Sequence, residues 1–130
     1  MTKTQTQTVA RQPLTKADLA QFTGYGDWHS HRLVEGVFYS EGARYVAENA
    51  DAYWLLDEIA FAQVHEDVAD WLDPSQIWKL KVLPERTVLL SCFNWRDKLV
   101  FEKRIYSVDF PLPEFTLSFI DSEIMLPSEY

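Results

Sequence analysis

Residues 77–94 read IWKLKVLPERTVLLSCFN, and the spacing of apolar residues in this stretch decides the fold. Lys79 and Lys81 alternate with apolar residues, as on a strand with one buried and one wet face. These apolar residues are Trp78, Leu80 and Val82. Residues 87–94 form a denser apolar run, which is typical of a central strand. The sequence therefore predicts two neighbouring strands over 77–83 and 87–94.

The downstream sequence continues the strand pattern. Residues 98–108 follow a polar turn, and residues 115–121 alternate again after the break at Pro111 and Pro113. Consecutive strands joined by short turns pair most simply as an antiparallel meander. We therefore expect a meander of three to four strands.

The upstream sequence has helical periodicity instead. Residues 51–72 are apolar almost all round in their first half and amphipathic in their second, which predicts one long helix begun by Asp51. Shorter helices are expected near 15–22 and 43–47, on either side of a strand or hairpin at 27–39. The predicted fold class is α+β, an antiparallel meander of three to four strands packed by one long helix, with short N-terminal helices.

Composition limits the classes of protein to which the chain can belong. Its 130 residues are 47% apolar and 15% aromatic, which indicates one globular domain over 14–130 after a flexible polar tail at 1–13. We expect no membrane partner, because no apolar run approaches the ~18 residues of a membrane span. One cysteine, Cys92, excludes an internal disulfide and favours a cytoplasmic location. The net charge of −8 argues against direct binding to nucleic acid.

Charge is segregated along the chain. Residues 35–73 carry ten acidic and one basic side chain, whereas residues 74–104 carry seven basic and three acidic ones. Two solvated surfaces would explain this pattern, and so would an acidic recognition face for a protein partner with a basic surface. The candidate partner-binding residues of that face are Glu58, Glu66, Asp67, Asp70 and Asp73.

Trp95 is a further candidate for partner binding. It stands beside Arg96 in the expected turn after 87–94. Trp and Arg are common at the energetic centres of protein interfaces. The alternative is a ring that folds back over the end of the sheet.

The histidines and one aspartate suggest two candidate sites. Asp27, His29 and His31 recur at a period of two, so on a strand they share a face and resemble a zinc or iron ligand set. The alternative is a strand with two surface histidines. Asp57 lies on the apolar face of the long helix with His65 two turns on, which makes this pair a general acid/base candidate. A structural ion pair or hydrogen bond from Asp57 to the sheet is the alternative.

Common catalytic and cofactor motifs are missing from the sequence. None of the four glycines forms a nucleotide-binding loop, and no CxxC, HExxH or serine elbow is present. Cys92 lies in the densest strand, where a thiol is usually inert. We therefore expect no cofactor, and an enzyme is less favoured than a binding protein.

Four motifs resemble those of a known family. They are residues 14–24 (LTKADLAQFTG), 39–42 (YSEG), 52–60 (AYWLLDEIA) and 126–130 (LPSEY). Together they are similar to an uncharacterised family of small bacterial proteins, often from plasmids, phages or other mobile elements, known only as a domain of unknown function. The resemblance covers residues 14–130 and implies a compact accessory protein with no assigned catalytic residues. It makes Asp57, which lies inside the third motif, a priority for mutation.

These observations lead to three functional hypotheses. The first is a non-enzymatic acidic interaction protein, an inhibitor encoded by a mobile element that mimics DNA phosphates against a nucleic-acid-binding host defence enzyme. The second is a small enzyme or metal protein that uses Asp57 and His65, or Asp27, His29 and His31. The third is a structural homodimer that pairs through the edge strand at 115–121.

Overall fold

The computed structural model describes residues 14–22, 26–64 and 75–129, and the expected tail at 1–13 lies outside them. Within these ranges the chain forms seven strands and three α-helices. The strands are β1 (His29–Ser30), β2 (Phe38–Tyr39), β3 (Ser75–Leu83), β4 (Thr87–Asn94), β5 (Leu99–Tyr106), β6 (Glu114–Ile120) and β7 (Glu123–Met125). The helices are α1 (Lys16–Leu19), α2 (Glu41–Asn49) and α3 (Tyr53–Ala62). The strands make one mixed sheet in the order β1-β2-β7-β6-β3-β4-β5.

The predicted fold class, a meander of three to four strands packed by one long helix, is wrong. The four expected strands exist as β3 to β6, but β6 pairs with β3 and not with β5. The sheet then continues through β7 to β2, which lies parallel to β7. Periodicity fixes which side chains share a face but not which strands are neighbours, so it could not reveal this order. The segment at 115–121 is therefore no edge strand, since β6 lies between β3 and β7.

The predicted long helix at 51–72 is also wrong, because α3 occupies only Tyr53–Ala62. Asp51 does not cap it, since its φ of 53° places it in a left-handed turn before the helix. At the other end, Gln63 donates its backbone N–H three residues back, as in a tightened last turn. The Gln63 and Gln76 amides exchange two hydrogen bonds of 2.9 Å, which tie this end to β3. The expected continuation at 65–72 lies outside the described residues.

Two tight hairpins organise the sheet. Glu85 and Arg86 have φ values of 62° and 55° between β3 and β4, and Asp121 and Ser122 have 51° and 71° between β6 and β7. Two successive left-handed residues form the turn whose twist matches that of antiparallel strands. The chain adopts it without glycine, so the usual sequence signal for a hairpin is missing.

The helices cover one face of the sheet, and the other face carries exposed lysines. Trp78 and Leu80 of β3 are 1% and 2% exposed, whereas Lys79 and Lys81 are exposed, so the alternation predicted for 77–83 is confirmed. Side chains of β4, β6, β7, α2 and α3 share the buried cluster. It includes Val46, Leu55, Ile59, Leu90, Leu117 and Ile124. We call this the inner face and the lysine-bearing side the outer face.

The N-terminal elements hold the site in place. The short helices expected upstream are present, with Thr15 capping α1 and Ser40 capping α2. The strands β1 and β2 pair as a hairpin, which agrees with the expectation for 27–39. The buried Glu129 carboxylate accepts hydrogen bonds from the Ser40 hydroxyl at 2.5 Å, the Gly42 N–H at 3.1 Å and the Leu126 N–H at 2.8 Å. This network fastens the start of α2 to the end of the chain.

Candidate functional site

The water-facing side of α3 is unusually aromatic. Tyr53 and Phe61 are 41% and 45% exposed, and Val64, just beyond the helix, is 71% exposed. Asp57 lies between them at helical spacing, four residues from each ring. Exposed apolar side chains that cluster, unlike single ones, mark interaction or ligand sites. The exposed Tyr53, Phe61 and Val64 therefore indicate a candidate site around Asp57.

Asp57 is paired with a histidine from the β1–β2 hairpin. Nε2 of His31 lies 2.8 Å from Oδ1 of Asp57. The His31 side chain is 3% exposed and that of Asp57 is 27% exposed, so the carboxylate is the member that solvent or a ligand can reach. His31 is the hydrogen-bond partner of Asp57 in the described part of the chain, which leaves Oδ2 able to accept a further hydrogen bond.

The other nitrogen of His31 fixes the tautomer. Nδ1 accepts the backbone N–H groups of Leu33 at 3.2 Å and Val34 at 3.0 Å. A nitrogen that accepts two hydrogen bonds carries no proton, so the neutral ring holds its proton on Nε2 and donates it to Asp57. The His31 backbone N–H also donates to the Val37 carbonyl at 2.8 Å. The loop thereby orients the ring, and the ring orients the carboxylate.

A pocket of about 290 Å³ opens beside this pair. Its lining consists of His31, Arg32, Tyr39, Tyr53, Leu56 and Asp57. The Phe61 ring meets the His31 ring edge to face, with centroids 6.0 Å apart. The volume suits one side chain or a small molecule, and the lining combines aromatic surface with a few polar groups.

Tyr53, which lines the pocket, is linked to two charged side chains of α2. The Tyr53 hydroxyl donates to Glu48 over 3.3 Å, and Glu48 lies 3.4 Å from the Arg44 guanidinium. Burial, followed by the negative charge of Glu48, raises the pKa of the Tyr53 phenol. The same carboxylate raises the pKa of Arg44. The phenol therefore stays protonated and available as a donor at neutral pH.

The three residues considered for a metal site have separate surroundings. The His29 ring contacts the Glu41 carboxylate and stacks on Tyr39, whereas His31 contacts Asp57. Asp27 is exposed. The described residues contain no group of three or more His, Cys, Asp or Glu side chains placed to hold a metal ion. The structure thus gives Asp27, His29 and His31 no shared centre.

The acidic candidates fall mostly outside the described residues. Glu66, Asp67, Asp70 and Asp73 all lie there, as does His65, the expected partner of Asp57. Glu58 is described and forms a 2.9 Å ion pair with Lys103 of β5. Trp95 is 64% exposed in the β4–β5 turn, with the Arg96 guanidinium 4.5 Å from its ring centroid. Its exposure agrees with the interpretation of Trp95 as a surface residue.

Sequence reasoning identified Asp57 and His31 but placed them in different sites. Tyr39, Tyr53 and Arg32, which also line the pocket, were not among the candidates. Two features of the sequence could have indicated the pocket. One is Asp57 among the aromatic residues of α3, and the other is a histidine, His31, on the neighbouring hairpin. A two-residue strand leaves too short a pattern to define that placement.

The comparisons with known proteins assign a family and no activity. No helix in the described part of the chain is long and apolar enough to cross a membrane. No curated protein and no solved structure matches the sequence. One family model matches residues 13–130, which include the described pocket and nearly all of the chain. The chain therefore belongs to DUF6876, a family of unknown function.

Proposed function

We propose that this protein is a non-enzymatic interaction protein that takes a basic side chain of a protein partner into the pocket at Asp57. The observation that carries the proposal is the Asp57 carboxylate, which is held by a neutral histidine and partly exposed in an aromatic-lined pocket. A neutral donor orients a carboxylate without cancelling its charge. Asp57 therefore remains a preformed anionic partner for a cation.

The surroundings favour a cation on a macromolecule. Tyr39 and Tyr53 line the pocket, and tyrosine rings attract cations through their faces. The exposed Phe61 and Val64 extend the apolar surface beyond the pocket, where a second side chain of a partner can pack. Arg32 adds one positive charge to the lining, opposite in sign to that of Asp57. We expect a single Arg or Lys flanked by apolar residues to be the element recognised.

The charge of the surrounding segment supports a partner with a basic surface. Residues 35–73, which include α2 and α3, carry ten acidic and one basic side chain. Such a segment accelerates encounter with a basic surface and makes binding sensitive to salt. We propose, as the setting, an inhibitor encoded by a mobile element that occupies the phosphate-binding surface of a host defence enzyme. Glu66, Asp67, Asp70 and Asp73 belong to the same acidic segment and are part of this proposal through their charge alone.

The first test compares two neighbouring carboxylates on α3. Nα-acetyl-arginine amide is titrated into the wild type, Asp57→Asn and Glu58→Gln while backbone amide chemical shifts are recorded. Both substitutions remove one negative charge from the same helix, but Glu58 is already paired with Lys103. We expect saturable shifts around residues 31–34 and 53–57 in the wild type and Glu58→Gln, and none in Asp57→Asn. Equal responses from all three proteins would refute recognition by Asp57.

A second experiment tests the protein partner. Host proteins retained by the wild type at low salt are compared with those retained by Asp57→Asn and by a Glu66, Asp70 and Asp73 charge-reversed variant. A nucleic-acid-binding protein that is lost with the variants and competed by DNA supports the inhibitor. Retention that does not fall with added salt contradicts it, since screening weakens contacts between surface charges.

Proton transfer at Asp57 is a second candidate function. The contact between His31 and Asp57 favours it, because a carboxylate oriented in a pocket can accept a proton from a bound molecule. In this case Asp57 would be the base and His31 a positioning residue, since both nitrogens of its ring are engaged. Small-molecule ligands that stabilise the wild type against heat but not Asp57→Asn, without any effect from acetyl-arginine amide, would favour this alternative.

A further inference from the structure

The eight-residue strand β5 ends the sheet with an open edge, and its pairing with β4 is regular from Phe101 to Tyr106 and shifted before Phe101. It pairs with β4 along one side and has no strand neighbour on the other side among the described residues. The opposite end of the sheet is β1, which has only two residues and offers little backbone to pair with. An eight-residue edge presents a row of unpaired N–H and C=O groups and is a template for another strand.

Symmetry limits how this edge can pair with its own copy. In an antiparallel pair, directly opposite side chains lie on the same face of the joined sheet. A two-fold axis normal to the sheet keeps the inner faces of the two copies on the same side. Opposite residues must then come from the same face, which requires that one residue lies opposite its own copy. The charged centre of β5 reads Glu102-Lys103-Arg104, and an axis at each of these residues gives the three registers that place these charges opposite one another.

Only one of the three registers complements the charges. An axis at Glu102 or at Arg104 brings two like charges together on the outer face. An axis at Lys103 instead places Glu102 opposite Arg104 of the second copy, twice, and Phe101 opposite Ile105, twice. Phe101 and Ile105 are half-buried on the inner face opposite Cys92 and Val88 of β4. This register therefore joins two ion pairs on one face with two apolar pairs on the other.

The lysine at the axis is already compensated within each copy. Nζ of Lys103 lies 2.9 Å from the Glu58 carboxylate of α3. Two lysines directly opposite would otherwise repel each other across the axis. With Glu58 beside each of them, the centre of the pair carries two positive and two negative charges. The inner face can therefore close around Phe101 and Ile105 without an unpaired charge.

We propose that two copies of this chain pair β5 to β5 about a two-fold axis at Lys103 and form a continuous antiparallel sheet. The paired residues are Phe101 with Ile105, Glu102 with Arg104 and Lys103 with its own copy. The surface lies on β5, which contributes none of the residues that line the pocket at Asp57, so the two proposals rest on different residues. A second copy is the partner because the charges and apolar side chains of β5 complement those of its own copy in this register.

Charge exchange across the axis tests this register in the full chain. Sedimentation velocity at micromolar concentration measures the dimer dissociation constant of the wild type, Glu102→Arg and Arg104→Glu. Each single substitution turns two attractive pairs into two repulsive ones and should raise the dissociation constant roughly tenfold or more. The double variant Glu102→Arg/Arg104→Glu restores opposite charges and should dimerise again. An equimolar mixture of the two single variants should form a mixed dimer.

Lys81→Glu supplies the matched control. Lys81 lies on the outer face of β3, so its reversal changes the net charge as Arg104→Glu does without touching the edge. We expect it to dimerise like the wild type. Circular dichroism and the melting temperature establish that each variant is folded. A wild type that is monomeric throughout the micromolar range overturns the proposal, and so does a mixture of single variants that forms no mixed dimer.

Discussion

Replacing His31 separates the two tasks that its ring performs. His31→Asn keeps an acceptor close to the position of Nδ1, because an asparagine side chain commonly accepts N–H groups two and three residues ahead. It should therefore keep the contacts with Leu33 and Val34 but is too short to reach Asp57. His31→Ala removes both sets of contacts. The difference between the two variants measures what the loop contacts contribute.

The structure sets the expected magnitudes. The two N–H groups held by Nδ1 are each worth about 1 kcal/mol, and the bond to the Asp57 carboxylate about 1.5 kcal/mol. We use the low end for the carboxylate because its side chain is 27% exposed, so water can replace the lost donor. His31→Asn should therefore lower the free energy of unfolding by about 1.5 kcal/mol. His31→Ala should lower it by about 3.5 kcal/mol.

Urea denaturation at a fixed protein concentration, followed by tryptophan fluorescence, measures both values. Asp57→Asn completes a double-mutant cycle with His31→Asn, and the two changes should be non-additive by about 1 kcal/mol. Equal destabilisation by His31→Asn and His31→Ala would refute the assignment of the proton to Nε2. It would mean that the contacts of Nδ1 with the loop contribute nothing.

Three further predictions concern buried or shifted groups. Glu129→Gln should cost about 2 kcal/mol of unfolding free energy, because an amide must turn its NH₂ toward one of three donors; a change below about 0.5 kcal/mol contradicts this. The raised pKa of Tyr53 contributes stability that is present below about pH 10 and is lost as the pH rises through the raised pKa. In denaturation curves recorded at alkaline pH, the wild type should therefore lose stability relative to Tyr53→Phe. Cys92 is 0% exposed, so a thiol reagent should modify it only at the rate of opening, and rapid modification of the native protein would argue against its burial.

The sequence predicted the strands better than the order in which they pair. A clean period of two, as in the residues flanking Lys79, depends only on which face is buried, and it located β3 and β6. A dense apolar run located β4, and the polar turn after it located β5. Pairing depends on contacts between distant segments. Nothing in 115–121 indicates that it lies beside β3, and the strand after it follows a hairpin without glycine. Periodicity therefore could not predict the order of the strands in the sheet.

The helix length was predicted wrongly for a related reason, and the same limit hid the contact between His31 and Asp57. The apolar pattern of 51–72 continues past Ala62, but the Gln63 amide finds a partner on β3, and a tertiary contact of this kind outweighs local propensity. The sequence marked Asp57 as an anomaly on a largely apolar stripe. Its partner was sought on the same helix because intrahelical spacing is visible in a sequence. The hydrogen-bond partner in the described part of the chain, His31, is 26 residues away and is brought there by the hairpin, whereas His65 lies outside the described residues.

Asp57 and Glu58 are adjacent on α3 yet belong to the two different proposals, and this allows a crossed test. Asp57→Asn should abolish binding of acetyl-arginine amide and leave the dimer dissociation constant unchanged. Glu58→Gln should retain that binding but weaken the dimer, because Lys103 then meets its own copy with less compensation. The effect should be smaller than that of Glu102→Arg, since glutamine still accepts a hydrogen bond. Both variants remove one negative charge from the same turn of the helix, so net charge cannot explain opposite outcomes. If each variant weakened both properties, the helix would act as one diffuse acidic surface, and neither the pocket nor the register at Lys103 would stand.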